Sequence, residues 1–227
     1  MDKLIKINKR KDEMIFGNIP YPNIHNLYDK KDLIYIPEKI IKYIKINNKL
    51  LNYLNIKKEE EILCLGSGCI IDSILISKQV ENFVNIVSLD QSPEFISLAQ
   101  KIIKQQKIEN IIFKLGNIQN ITETDKKFDL VIANSIINST NKNDRAFEEI
   151  YRVLKLGGSC IISDIVLNGK KKHAQILSMK SKFEFLNTIE SSGFKLVEIL
   201  NEKRINSSFT SINIRMIKKW KLTIKTH

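Results

Sequence analysis

Glycine and proline are scarce in this 227-residue chain, at 8 and 4 residues, which excludes a collagen-like repeat or a long flexible linker. Cysteine is scarcer still. Cys64, Cys69 and Cys160 are too few and too irregularly spaced for a disulfide framework, and an odd number fits a reducing compartment. The three histidines, His25, His173 and His227, lie far apart with no partner at ligand spacing, so no metal site is expected. No run reaches the ~18 consecutive apolar residues that span a bilayer. The charged start, Met1 through Glu13, lacks the apolar stretch of a secretory signal, so a cytoplasmic protein is the expectation.

What the chain has in excess is lysine. Lys and Arg total 37 against 25 Asp and Glu, a formal net charge of +12, which permits contact with nucleic acid or an anionic surface. The lysines are scattered from Lys3 to Lys225 among Asn and Ile, the pattern of a compositional bias rather than of one basic patch. With 43% apolar residues, a chain of this length can bury a full core without staples. The organisation expected is an N-terminal arm and helical lid over residues 1–58 and a main domain over 59–227. Within the first part, residues 1–35 read as an irregular polar arm. Ile40, Ile41, Ile44, Leu51 and Leu54 then predict a helix over 38–55.

From Glu61 the pattern becomes regular. Short apolar runs at Ile62–Leu65, Val84–Leu89, Ile111–Leu115, Leu130–Ala133 and Cys160–Val166 predict five strands, with two more at Phe194–Leu200 and Phe209–Ile217. Helices are predicted from Ile70, after Ser92-Pro93-Glu94, between Asn143 and Leu154 with Gly157-Gly158 closing it, and around Phe183–Ile189 ending at Gly193. Asp72 in the first of these would complement the helix macrodipole. Cys64 and Cys160 fall inside strands and read as core residues. Alternating strands and helices mean an α/β fold: a Rossmann-like, seven-stranded, mainly parallel sheet with helices on both faces. In such sheets ligands bind beyond the carboxyl ends of the strands.

Gly66-Ser67-Gly68 sits directly between the first strand and its helix, and Asp90 ends the second strand. Glycine lets the backbone turn sharply against a ligand. A carboxylate about 20 residues on is placed to accept from ribose hydroxyls. The pair points to an adenosine-type ligand. The dinucleotide fingerprint requires a third glycine where the chain has Ile71, and no P-loop lysine follows. A phosphate-free adenosine cofactor, S-adenosylmethionine, therefore suits the loop.

The strings LGSGCIID (Leu65–Asp72), VSLDQSPEFISLAQ (Val87–Gln100), FDLVIANSIIN (Phe128–Asn138) and EEIYRVLKLGGSCIISDIV (Glu148–Val166) resemble four motifs of class I S-adenosylmethionine-dependent methyltransferases. SINIRM (Ser211–Met216) resembles their closing strand, so the resemblance covers about residues 60–217. Within the superfamily, NSIIN with YRVLK-x-GG is similar to the arsenite and ubiquinone/menaquinone methyltransferase group. The resemblance implies that Gly66, Ser67 and Gly68 hold the methionine end and ribose, with Asp90 on the ribose hydroxyls. Gln91 would pack beside the adenine, with Asn117 and Ile118 near it, and Asn134 and Ser135 would line the floor near the methyl group.

Several positions depart from the family pattern. Ile70 stands where a third small residue is usual and would crowd the loop, and Asn117 replaces an Asp whose role an amide oxygen can take. Ser135 replaces the cysteine of the arsenite enzymes, and Lys172–Leu177 contains none. Cys69 near the sulfonium is a single thiol. These departures argue against arsenite methylation. The expectation is methyl transfer by in-line displacement to a small-molecule acceptor. The alternatives are a non-catalytic methyltransferase-like binding protein, or an RNA or protein methyltransferase using the basic surface, of which the Lys170–Lys172 cluster beside His173 is the densest part. Trp220 is expected to cover a core edge.

Overall fold

In the computed structural model, the described residues are 21–41, 44–66, 69–80, 83–138, 140, 142–169 and 179–219. Seven strands form one sheet in the order β3-β2-β1-β4-β5-β7-β6. They are β1 (Glu61–Leu65), β2 (Asn85–Asp90), β3 (Ile111–Leu115), β4 (Phe128–Asn134), β5 (Leu154–Leu167), β6 (Leu196–Arg204) and β7 (Phe209–Ile217). β1 to β5 run parallel, and β7 pairs antiparallel with both β5 and β6. The expected architecture is borne out.

Side-chain alternation divides the core by sheet face. Leu63, Leu65, Val131, Ala133, Ile162, Ile212 and Ile214 face one side. There they meet helices α5 (Asn143–Val153) and α6 (Lys182–Ser191) through Phe147, Ile150, Phe185 and Ile189. Ile62, Cys64, Leu130, Ile132 and Ile161 face the other side. They are covered by α3 (Cys69–Gln79), α4 (Pro93–Gln105) and the N-terminal segment. The start of α4 follows its local chemistry: the Ser92 side chain caps the Phe95 N–H and Pro93 occupies the first turn. Gly193, at φ +109°, follows the last turn of α6 as expected.

Three expectations need correction. The helix over 38–55 is not formed. Among its described residues only α2 (Glu38–Ile41) and a 3-10 turn at Leu50–Tyr53 are helical, after a short α1 (Lys30–Leu33). The backbone between them bonds to the end of the sheet instead: Asn47 N–H to Asn134 Oδ1 and Asn48 C=O to Asn134 Nδ2. A tertiary demand on the main chain has overridden apolar periodicity. Residues 21–35 are no free arm, because Ile24, Tyr28 and Leu33 are buried in the core. Finally, Gly157-Gly158 does not close a helix. α5 ends at Val153 and both glycines lie in β5, where Gly157 N–H donates to Lys218 C=O. Strand pairing shifts register there, between Phe128 and Leu130 of β4.

Candidate functional site

The order of the sheet reverses between β1 and β4, so the crevice at their carboxyl ends is the topological switch point. Gly66 follows β1 at φ +92°, and its N–H donates to Leu89 C=O at 2.8 Å. A Cβ on Gly66 would stand 3.1 Å from the side chain of Ile136, so both the conformation and the space require glycine. Asp90, half-buried at the end of β2, accepts the Ser92 N–H through Oδ1 at 2.8 Å, and its backbone carbonyl accepts Gly116 N–H. Gln91 beside it is exposed. Past β3, exposed Asn117 uses Oδ1 to accept Gln119 N–H at 2.8 Å, while Ile118 is buried in the core. Ser67, Gly68, the Lys170–Lys172 cluster, His173 and Trp220 lie outside the described residues.

Asn134 ends β4 one register step beyond the Leu65–Ala133 pair. It is buried and multiply bonded. Besides the two contacts to residues 47 and 48, its Nδ2 lies 3.3 Å from Asp72 Oδ2. Asp72 is fully buried, and its Oδ1 accepts Tyr28 O–H at 3.0 Å. Burial pushes the Asp72 carboxyl up to about 6, partly offset by the bonds from Asn134 and Tyr28. The Tyr28 phenol is likewise pushed up, first by burial and then by Asp72. Asp72 thus does more than complement the α3 dipole. It ties Tyr28 of the N-terminal segment to the end of β4.

The same segment is fastened further along the sheet. Asn47 Nδ2 lies within 2.9 Å of Ser163 Oγ on β5, 3.0 Å of Asp164 C=O and 2.9 Å of Ser211 Oγ on β7. Residues 44–49 therefore form a strap across the ends of β4, β5 and β7. On the opposite face of β5, Asp164 orders the loop after β4, accepting the N–H groups of Ile137 at 3.0 Å and Asn138 at 3.1 Å through Oδ2. Burial raises this carboxyl to about 6, and the backbone N–H bonds of Asn138, Ile165 and Ile137 act the other way.

Ser135 occupies the middle of this arrangement. It holds φ +60°, a left-handed conformation unusual for a non-glycine residue and frequent at functional sites. Its N–H donates to Ser163 C=O, and its buried Oγ has no hydrogen-bond partner among the described residues. Cys69 opens α3 with its thiol buried beside Cys64. Burial, then Cys64, pushes it well up, so it is a neutral thiol. Ile70, next along, packs into the apolar cluster under the N-terminal segment.

Of the residues singled out from sequence, Gly66, Asp90, Asn134 and Ser135 are brought to one end of three neighbouring strands. Asn47, Tyr28 and Asp164 were not foreseen. The one usable signal was Ser163-Asp164 interrupting an otherwise apolar strand, since a buried carboxylate needs donors around it.

The methyltransferase-domain family matches residues 56–215. The chain belongs to it. The resemblance read from the motifs is borne out, including its narrower part. An arsenite methyltransferase of Halobacterium salinarum is 36% identical over 107 residues, covering 47% of this chain and 27% of that protein. A demethylmenaquinone methyltransferase of Lactobacillus johnsonii is 34% identical over 97 residues, covering 42% and 39%. The chain thus spans well under half the length of these curated relatives. Among solved structures, an arsenic(III) S-adenosylmethionine methyltransferase from Chlamydomonas reinhardtii superposes with a TM-score of 0.70 at 22% identity, covering 88% of this chain and 75% of that one. A phosphoethanolamine N-methyltransferase from Haemonchus contortus, solved with S-adenosylhomocysteine, gives 0.68 at 15%, covering 92% and 57%. Among the described residues, no helix is long and apolar enough to cross a membrane.

Proposed function

We propose that this methyltransferase-family chain binds S-adenosylmethionine at the ends of β1 to β4 and transfers its methyl group to a small-molecule acceptor. The observation that carries the reading is the placement of Gly66 and Asp90 at adjacent strand ends, where a glycine turn with no Cβ lies beside a half-buried carboxylate. Gly66, Ser67 and Gly68 would hold the methionine and ribose, Asp90 the ribose hydroxyls, and Gln91, Asn117 and Ile118 the adenine. Bound there, the cofactor supplies a methyl group already activated on a sulfonium.

The chain's own work is then orientation and exclusion of water. Ser135 offers the acceptor a hydroxyl that has no partner among the described residues. The amide of Asn134 is engaged by Asn47, Asn48 and Asp72, so it holds the strap closed over the crevice. Alignment of acceptor and methyl in a closed site contributes on the order of 7–11 kcal/mol to such reactions. Asp72 and Asp164 are occupied in holding the strap and the loop after β4, so a soft or already ionised acceptor suits the site. Ser135 in place of a cysteine, and the buried Cys64 and Cys69 thiols, speak against arsenite as that acceptor.

Tritium-methyl S-adenosylmethionine incubated with the chain and a fractionated cell extract tests the acceptor class. Label is expected in the fraction below a few kilodaltons. Label confined to protein or RNA would contradict the small-molecule reading.

A further inference from the structure

Across the carboxyl end of the sheet runs a row of uncharged polar side chains. Asn134 on β4 pairs with Ser163 on β5, Ser163 with Asn213 on β7, and Asn213 with Asn201 on β6. Side chains in register project to the same face of a sheet. For β7 that face is settled independently: Ile212, Ile214 and Met216 enter the core beneath α5 and α6. Ser211 and Arg215 reach the opposite side, where they bond Asn47 and the Tyr53 carbonyl. Asn213 therefore lies on the strap side, two strands from Asn134.

Its chemistry is out of balance. Asn213 is fully buried, yet neither its Oδ1 nor its Nδ2 has a hydrogen-bond partner among the described residues. A buried amide without partners is costly, and most buried polar side-chain atoms find one. Ser163, its neighbour in the row, is flanked on the other side by Ser135, whose buried Oγ is also unpartnered. Two buried polar groups without a partner among the described residues thus stand on either side of one serine.

We infer that Asn213 is a specificity-determining residue for the methyl acceptor, binding a neutral group that presents one hydrogen-bond donor and one acceptor, as a carboxamide does. The inference rests on the methyltransferase reading and names the acceptor class of that same site. A side-chain amide pairs both ways with such a group, whereas a carboxylate offers only acceptors and leaves Nδ2 alone satisfied. The row itself is uncharged. Arg215, two residues along β7, is committed to Glu198 and the Tyr53 carbonyl, and Asp164 to backbone N–H groups. Adjacent strands lie ~4.8 Å apart, so Asn213 stands roughly 10 Å from Asn134. The acceptor is therefore long enough to place its reacting atom by Ser135 and its amide by Asn213. Asn47 covers the row, so the strap opens for entry and closes over the bound acceptor.

The test uses the full chain saturated with S-adenosylhomocysteine and three probes of similar size, benzamide, benzoate and acetophenone, followed by saturation-transfer NMR. Benzamide is expected to bind at millimolar concentration, at least fivefold more tightly than the other two. Asn213→Leu should weaken benzamide at least tenfold while S-adenosylhomocysteine affinity stays within twofold. It should also melt no lower than the parent, because an unsatisfied amide is replaced by an apolar group of similar size. Asn213→Thr, suited to a strand, serves if the leucine variant does not fold. Equal binding of benzoate, no binding of benzamide, or undiminished binding to both variants would overturn the inference. Failure of the parent to bind S-adenosylhomocysteine would instead strike the methyltransferase reading, and the benzamide comparison on the cofactor-free chain would still decide the role of Asn213.

Discussion

Asn134 Oδ1 accepts the backbone N–H of Asn47 at 3.1 Å, joining the end of β4 to a residue 87 positions earlier. The contact turns the N-terminal segment into a strap over the crevice where the cofactor and acceptor are proposed to meet.

Removing that amide should release the strap. Asn134→Ala leaves the Asn47 N–H, the Asn48 carbonyl and one Asp72 oxygen without this partner. Each unsatisfied buried group costs about 1–3 kcal/mol, less where water can enter. The expected result is a loss of roughly 2 kcal/mol in urea unfolding and faster hydrogen exchange at Asn47. Unchanged protection of that amide would show that packing and the Asn47 side-chain bonds hold the strap without Asn134.

The buried carboxyl of Asp72 gives stability a particular pH dependence. Its folded value, about 6, lies above the ordinary 3.8. Between these values the folded chain binds more protons than the unfolded one, so this group makes stability fall as pH rises from about 4 to about 6. Asp72→Asn removes that contribution while keeping a partner for Tyr28. The variant should gain stability relative to the parent on going from pH 4.5 to pH 8, by on the order of 2 kcal/mol. Urea unfolding at the two pH values checks this, and parallel profiles would contradict it. The comparison with the parent cancels the opposite trend from Glu123 and Glu149, both held below the usual range by Lys114 and Lys127 and by Arg152 against the cost of burial.

Gly66 combines a positive φ with a crowded surrounding. Gly66→Ala should lower stability by about 1–2 kcal/mol from the left-handed conformation alone, plus the displacement of Ile136 at 3.1 Å. Adding Ile136→Ala removes Cγ1 and Cδ1 but keeps the Cβ at 3.1 Å, so it should restore only a share of the steric part. Thermal melting of the single and double variants measures that share. A complete rescue would mean that conformation contributes nothing.

The pattern of buried strands was legible because parallel strands covered on both faces read as short apolar runs. Gly66 and Asp90 were legible for a related reason, since the ends of such runs locate the crevice. The strap was not. Ile41, Ile44 and Leu51 keep a helical spacing, and only the tertiary contact between Asn47 and Asn134 shows why the backbone leaves the helix. Asp72 and Asp164 were equally hidden, because a carboxylate's burial depends on what the chain brings over it from far away. Asn213 sits in a strand whose alternation is plain, but no local signal distinguishes it from a solvated polar position.

The ends of β1 and β2 are proposed to bind S-adenosylmethionine through Asp90. Titration calorimetry with S-adenosylhomocysteine on the parent and on Asp90→Ala tests it most directly. Saturable binding is predicted for the parent. A loss of about 1.5–3 kcal/mol is predicted for the variant, as expected when charge-assisted hydrogen bonds to the ribose are removed. No binding to the parent at millimolar ligand, or equal affinity in both proteins, would contradict it.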